Sequence, residues 1–237
     1  MAHQPDYSLL DRPEVLQFVF YPRREWTSPA PGAKDYLIPV EAGISISCRF
    51  YPVNQNAPCI LFFHGNGEVA SDYDPIAPLY HRLGISLFVA DYRGYGLSNG
   101  RPSFSSMIRD AEAILEFFLS NVRGDARIPL FLMGRSLGTH SAVALVSRFP
   151  EHFRGLIVES GAANIARLLT RLGFPLDDPR LRDFQEAALA RIQAINLPVL
   201  IIHGERDSLI PATEAEALFR TVGSRDSCEC QAKRHPL

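Results

Sequence analysis

Short apolar runs alternate with stretches of helical periodicity along most of the chain. Five runs each end on a glycine or a polar cluster: CILFFHG from Cys59, SLFVADYRG from Ser86, PLFLMGRS from Pro129, GLIVESG from Gly155 and PVLIIHGERD from Pro198. Near-continuous apolar strands are what burial on both faces of a parallel sheet requires. An earlier strand is predicted over 44–51, with 36–40 as its candidate partner. Between the runs, Ile108, Ala111, Leu115, Phe118 and Val122 recur at helical spacing, and Gly124 supplies a stop. A second helix is predicted over 141–147, ending before Pro150. Residues 162–196 read as helical with a break around 173–179, which fits either a small lid or a plain crossover helix with a surface loop. The alternation as a whole predicts an α/β fold, a mostly parallel central sheet with helices on both faces.

The chain has 237 residues, which suits a single domain over 1–237. Hydrophobic residues at 46% and charged residues at 21% are ordinary for a globular protein, and a domain of this size buries a core without staples. The net charge of −2 and the lack of a basic stripe argue against nucleic acid as a partner. No apolar stretch is long enough to form a transmembrane segment. The amino terminus, MAHQPDYSLLDRPEVLQF, lacks the basic start and apolar run of a signal peptide, so a cytoplasmic location is the expectation. Cys48 and Cys59 lie in apolar runs and read as core thiols. Cys228, Cys230 and His235 offer three ligands where a structural zinc takes four, so no metal site is predicted.

The chemistry centres on Gly134-Arg135-Ser136-Leu137-Gly138. A GxSxG run between a strand and a helix sets its serine on a sharp turn, exposed above the sheet. The glycines let strand and helix approach closely, and the amino end of the following helix favours a developing oxyanion. Three further clusters close strands: His64-Gly65-Asn66-Gly67-Glu68, the run DYRGYGLS from Asp91, and the run HGERDSLIP from His203. Gly65 and Gly67 would let a backbone N–H come close to a carbonyl oxygen, and His64 reads as a support for its loop. Asp91 and Arg93 read as loop-stabilising charges.

Together HGNGE, DYRGYGLS, GRSLG and HGERDSLIP resemble the α/β-hydrolase superfamily, and most closely its serine aminopeptidase-like and lysophospholipase-like branch. The similarity covers roughly 16–222. The resemblance implies an eight-stranded, mostly parallel sheet and hydrolysis of an ester, thioester or amide without a cofactor. It also implies Ser136 as nucleophile and Asp207 as the orienting acid. Oxyanion-hole donors fall to the N–H groups of Asn66 and Leu137. Asp207 stands just past a strand end, after the serine, where the acid belongs; Glu159 is the runner-up and Glu205 reads as solvated.

Seven histidines are present, and only His235 follows Asp207, so the expected chain order makes it the base. The run SRDSCECQAKRH from Ser224 has no apolar stretch to enter a sheet. The expectation is therefore that the last strand and helix are missing or altered, with an atypical tail over 226–237. That leaves two readings. One is a serine hydrolase acting on a small-molecule or acyl substrate through an acyl-enzyme on Ser136. The other is a catalytically impaired relative that binds a ligand or partner. Leu168, Leu169, Leu172 and Phe174 would suit an acyl chain, or packing against the sheet.

Overall fold

The computed structural model describes residues 5–162, 164–174, 178–223 and 228–232. Among them, eight strands form one sheet in the order β1-β2-β4-β3-β5-β6-β7-β8. β1 (Lys34–Glu41) and β2 (Ile44–Tyr51) form an antiparallel hairpin closed by Ala42 and Gly43, with Gly43 at φ 74°. β2 also pairs antiparallel with β4 (Ser86–Ala90). Every other pairing is parallel: β3 (Cys59–Phe63) with β4 and with β5 (Leu130–Arg135), then β6 (Leu156–Glu159), β7 (Val199–Gly204) and β8 (Cys228–Ala232).

All ten residues of β3 and β4 are buried. They alternate between two cores, because successive side chains leave opposite faces of a strand. Ile60, Phe62, Leu87 and Val89 pack with Tyr73 and Met133 on one face. Leu61, Phe63, Phe88 and Ala90 join the larger core on the other face, under α3 (Phe104–Phe117) and α4 (Thr139–Arg148). Helix α3 presents Phe104, Met107, Ile108, Ala111, Ile114 and Leu115 to this core. Ser103 caps its start by accepting the Ser106 N–H at 3.1 Å. No helix among the described residues is long and apolar enough to cross a membrane.

The segment 162–196 holds α5 (Ile165–Arg171) and α6 (Leu181–Gln193). Pattern alone does not mark three short helices: α1 (Pro13–Val19), α2 (Ala77–Arg82) and α7 (Ala212–Thr221). One expectation is corrected. The last strand is not missing, because β8 pairs with β7 from Leu200↔Cys228 to Gly204↔Ala232. Strand pairing is made by backbone groups, and a strand at a sheet edge tolerates a polar sequence that a central strand does not. The expectation about a closing helix falls on residues outside those described.

The chain steps from β3 to β4 on one side, then crosses to β5 on the other. This makes the carboxyl ends of β3 and β5 the switch point of the sheet, where open α/β sheets bind ligands. Helix α4 is seated tightly there. A Cβ built on Gly138 would lie 2.0 Å from the Phe63 carbonyl oxygen and 2.8 Å from that of His64. Gly138→Ala is therefore expected to destabilise the protein by about 3 kcal/mol through overpacking against immovable backbone. Gly204→Ala, whose Cβ meets nothing among the described residues nearer than the Asp207 nitrogen at 4.0 Å, should stay within about 0.5 kcal/mol of the parent. Urea midpoints of the two variants check this.

Candidate active site

Ser136 opens a 3-10 turn, Ser136–Gly138, between β5 and α4. Its φ is 48°, a left-handed conformation that non-glycine residues rarely adopt and that costs on the order of 1–3 kcal/mol. The contacts explain why the turn persists. A Cβ on Gly134 would meet the Thr139 Cα at 2.6 Å and the Gly138 oxygen at 2.7 Å, so strand and helix touch backbone to backbone. Ser160, just past β6, shares the strained φ of 48°. Its neighbour Gly161 lies against Thr139, with room for no side chain.

The loop after β3 is fixed from several directions. His64 is fully buried, with Nδ1 2.8 Å from the Gly65 oxygen and Nε2 3.1 Å from Asp91 Oδ1. Tyr92 donates its hydroxyl to the His64 carbonyl at 2.6 Å. His64 thus supports the loop and has no ring nitrogen left for Ser136. Asp91 also accepts the Ala70 N–H at 2.8 Å. Arg93 pairs with Asp110 at 2.7 Å and Glu41 at 2.8 Å, so both charges stabilise loops, through partners other than each other.

Asn66 is held by its side chain. Oδ1 accepts the Tyr21 N–H at 2.8 Å and the Tyr95 hydroxyl at 2.7 Å, while Nδ2 donates to the Val19 carbonyl. Its own N–H meets no protein acceptor among the described residues. Arg135 joins the two motifs: its guanidinium lies 2.8 Å from Glu68 and 3.6 Å from Glu159. Glu68 in turn accepts the Gly65 N–H at 2.8 Å and the Tyr73 hydroxyl at 2.7 Å. Burial raises the Glu159 carboxyl above its ordinary value despite the nearby Arg135.

Asp207 stands three residues past the end of β7. Oδ1 accepts the N–H groups of Leu209 at 2.9 Å and Ile210 at 2.8 Å, which folds the turn around the carboxylate. Oδ2 takes no hydrogen bond among the described residues and lies 3.8 Å from His203 Nε2. That histidine is buried and bonds the Ile210 carbonyl at 2.7 Å, so it braces the same turn. Glu205 is exposed. His235 lies outside the described residues.

Ser136, Leu137 and Asn66 meet at one cavity of about 170 Å³. Its wall is mostly apolar: Phe18 and Val19 of α1, Leu168 and Leu169 of α5, then Leu172 and Leu209. Phe174 does not line it but lies against Phe18 at a tilt of 44°, with ring centroids 4.3 Å apart. A larger cavity of about 630 Å³ lies among the first residues of the strands, including Cys59, Ser86 and Leu130. That is the amino edge of the sheet, a strand length away from Ser136, so the smaller cavity is the candidate site. Sequence reasoning missed α1 as part of the wall. It also missed His140, which lines the cavity; its place four residues after Ser136 was the available signal.

A strand–turn–helix serine at the switch point of an eight-stranded sheet is the layout of an α/β hydrolase. The family model for Serine aminopeptidase, S33 matches residues 54–176, and the chain belongs to that family, within the α/β-hydrolase superfamily. It is 32% identical over 196 residues to the uncharacterized protein Rv2307c of Mycobacterium tuberculosis, covering 81% of this chain and 68% of that one. It is 31% identical over 211 residues to human alpha/beta hydrolase domain-containing protein 17B, covering 85% of this chain and 66% of that one. Among solved structures, ferulic acid-bound Est1E from Butyrivibrio proteoclasticus superposes with a TM-score of 0.72 at 17% identity, covering 84% of this chain and 89% of that one, a likeness of fold.

Burial, with the charge of Arg191 adding to it, lowers the His140 pKa to about 4. Folding thus replaces a histidine that would charge near pH 6.5 with one that stays neutral. Between those values the unfolded chain holds more protons, so stability falls as pH falls. Acidification from pH 7 to 4 should cost the parent about 3 kcal/mol more than it costs His140→Leu. Urea unfolding at the two pH values checks the difference.

Proposed function

We propose that this chain hydrolyses an ester, thioester or amide bond through an acyl-enzyme on Ser136. The observation that carries the reading is the strained Ser136, held at the switch point and opening on an apolar cavity beside Asn66 and Leu137. Ser136 Oγ attacks the carbonyl carbon while His235 takes its proton. The N–H groups of Leu137 and Asn66 hold the oxyanion. The leaving group departs with the proton from His235, and a water deprotonated by His235 then releases the acid and restores Ser136. Asp207 orients the imidazole and stabilises its charged form.

The strand register supports the pairing of acid and base. Gly204 and Ala232 are opposite residues of β7 and β8. Along the sequence, Asp207 and His235 each follow by three residues. The turn around Asp207 leaves Oδ2 without a hydrogen bond among the described residues.

A fluorophosphonate probe tests the reading without knowledge of the substrate. The parent should label stoichiometrically and Ser136→Ala should not label. His235→Ala should label slower by about a thousandfold or more. Label retained in Ser136→Ala would move the nucleophile elsewhere. A parental rate in His235→Ala would remove His235 as the base.

A further inference from the structure

His140 is the second residue of α4 and lies about one helical turn beyond Ser136. It is only 9% exposed, and it lines the cavity that holds Ser136. Its ring meets Phe104 edge-on at 6.4 Å, and Arg191 is the charge that acts on it. Arg191 itself is turned to the Tyr7 hydroxyl, at 3.3 Å. Neither nitrogen of the His140 ring makes a hydrogen bond to any described residue, in contrast to His64, bonded through both, and His203, bonded through Nε2.

The ring lines the cavity, so an apolar ligand that fills the cavity displaces water from it without replacing that water's hydrogen bonds, and a ligand that supplies a partner avoids the loss. Burial keeps the imidazole neutral at ordinary pH, so the ring offers one N–H and one lone pair. The rest of the wall is mostly apolar, with Asn66 and Ser136 as its other polar residues. An apolar cavity of about 150 Å³ holds one benzene, so about 170 Å³ admits an acyl group of about six carbons.

We propose that His140 is a specificity-determining residue that selects a short acyl group bearing a hydroxyl or keto oxygen over a plain alkyl chain of the same length. The proposal rests on the reading of Ser136 as the acylated residue, since that reading makes the cavity an acyl pocket. It adds a substrate class to it. A site built to hydrogen-bond a substrate oxygen discriminates against the analogue that lacks it, because the ring, cut off from water by the ligand, is then left unpaired.

The test uses amides, which mimic the acyl group, bound to the full chain carrying Ser136→Ala, so that no turnover is needed. Hexanamide is compared with its 3-, 4-, 5- and 6-hydroxy derivatives by NMR titration. At least one hydroxy amide should bind about five- to tenfold tighter than hexanamide. Adding His140→Leu should reverse the order, and adding His140→Asn, which keeps a donor and an acceptor, should retain the preference even if the leucine variant fails to fold. Hexanamide tightest in the Ser136→Ala chain would overturn the proposal. So would a hydroxyl preference that survives His140→Leu, or no binding by any amide in the series. If the parent hydrolyses no acyl ester while the preference holds, the reading of Ser136 fails and His140 still selects the ligand. Hydrolysis without the preference removes the proposal for His140 alone.

Discussion

The backbone of α4 rests against the carbonyls that end β3, with no space for a single methyl at Gly138. That contact fixes where the helix begins, and the start of the helix fixes Ser136. Pulling the chain from the end of β5 into so close a helix forces the left-handed turn at Ser136, a strain of on the order of 1–3 kcal/mol that the surrounding core holds in place. The same contact brings the loop after β3 beside the serine. One packing constraint therefore places both Ser136 and the loop that carries Asn66.

The remaining site residues are tied to this frame by specific bonds. Arg135, inside the serine motif, reaches Glu68, which closes the motif after β3. The guanidinium and carboxylate are 40% and 23% exposed, so their attraction is a modest one and their value lies in fixing two loops relative to each other. Asn66 connects the loop to the amino-terminal segment through Val19 and Tyr21. The wall of the cavity formed by α1 is thus tied to the loop after β3. On the far side, the turn around Asp207 is built from its own Oδ1 and braced by His203.

Much of this was readable in the sequence, for physical reasons that differ by element. The central strands are buried on both faces, so CILFF and SLFVA announce themselves as apolar runs, and each begins at the residue where the run does. The serine motif was legible because its glycines answer a steric demand that only they meet. β8 was misread because an edge strand can be polar, so CECQA carries no apolar signal. Helix α1, with seven residues, is too short to show a periodic face. The partners of Arg93 lie 17 positions ahead at Asp110 and far behind at Glu41, a pairing made only by folding. His140 escaped notice because a histidine inside an apolar helix face reads as core until the cavity beside it is seen.

The most direct test of the account is pre-steady-state hydrolysis of p-nitrophenyl hexanoate, followed by peptide mass analysis of the quenched protein. The account predicts a burst of about one p-nitrophenol per chain, with a hexanoyl group on the peptide containing Ser136 and on no other. A linear release without a burst and without an acylated peptide, or acylation at a residue other than Ser136, would contradict it.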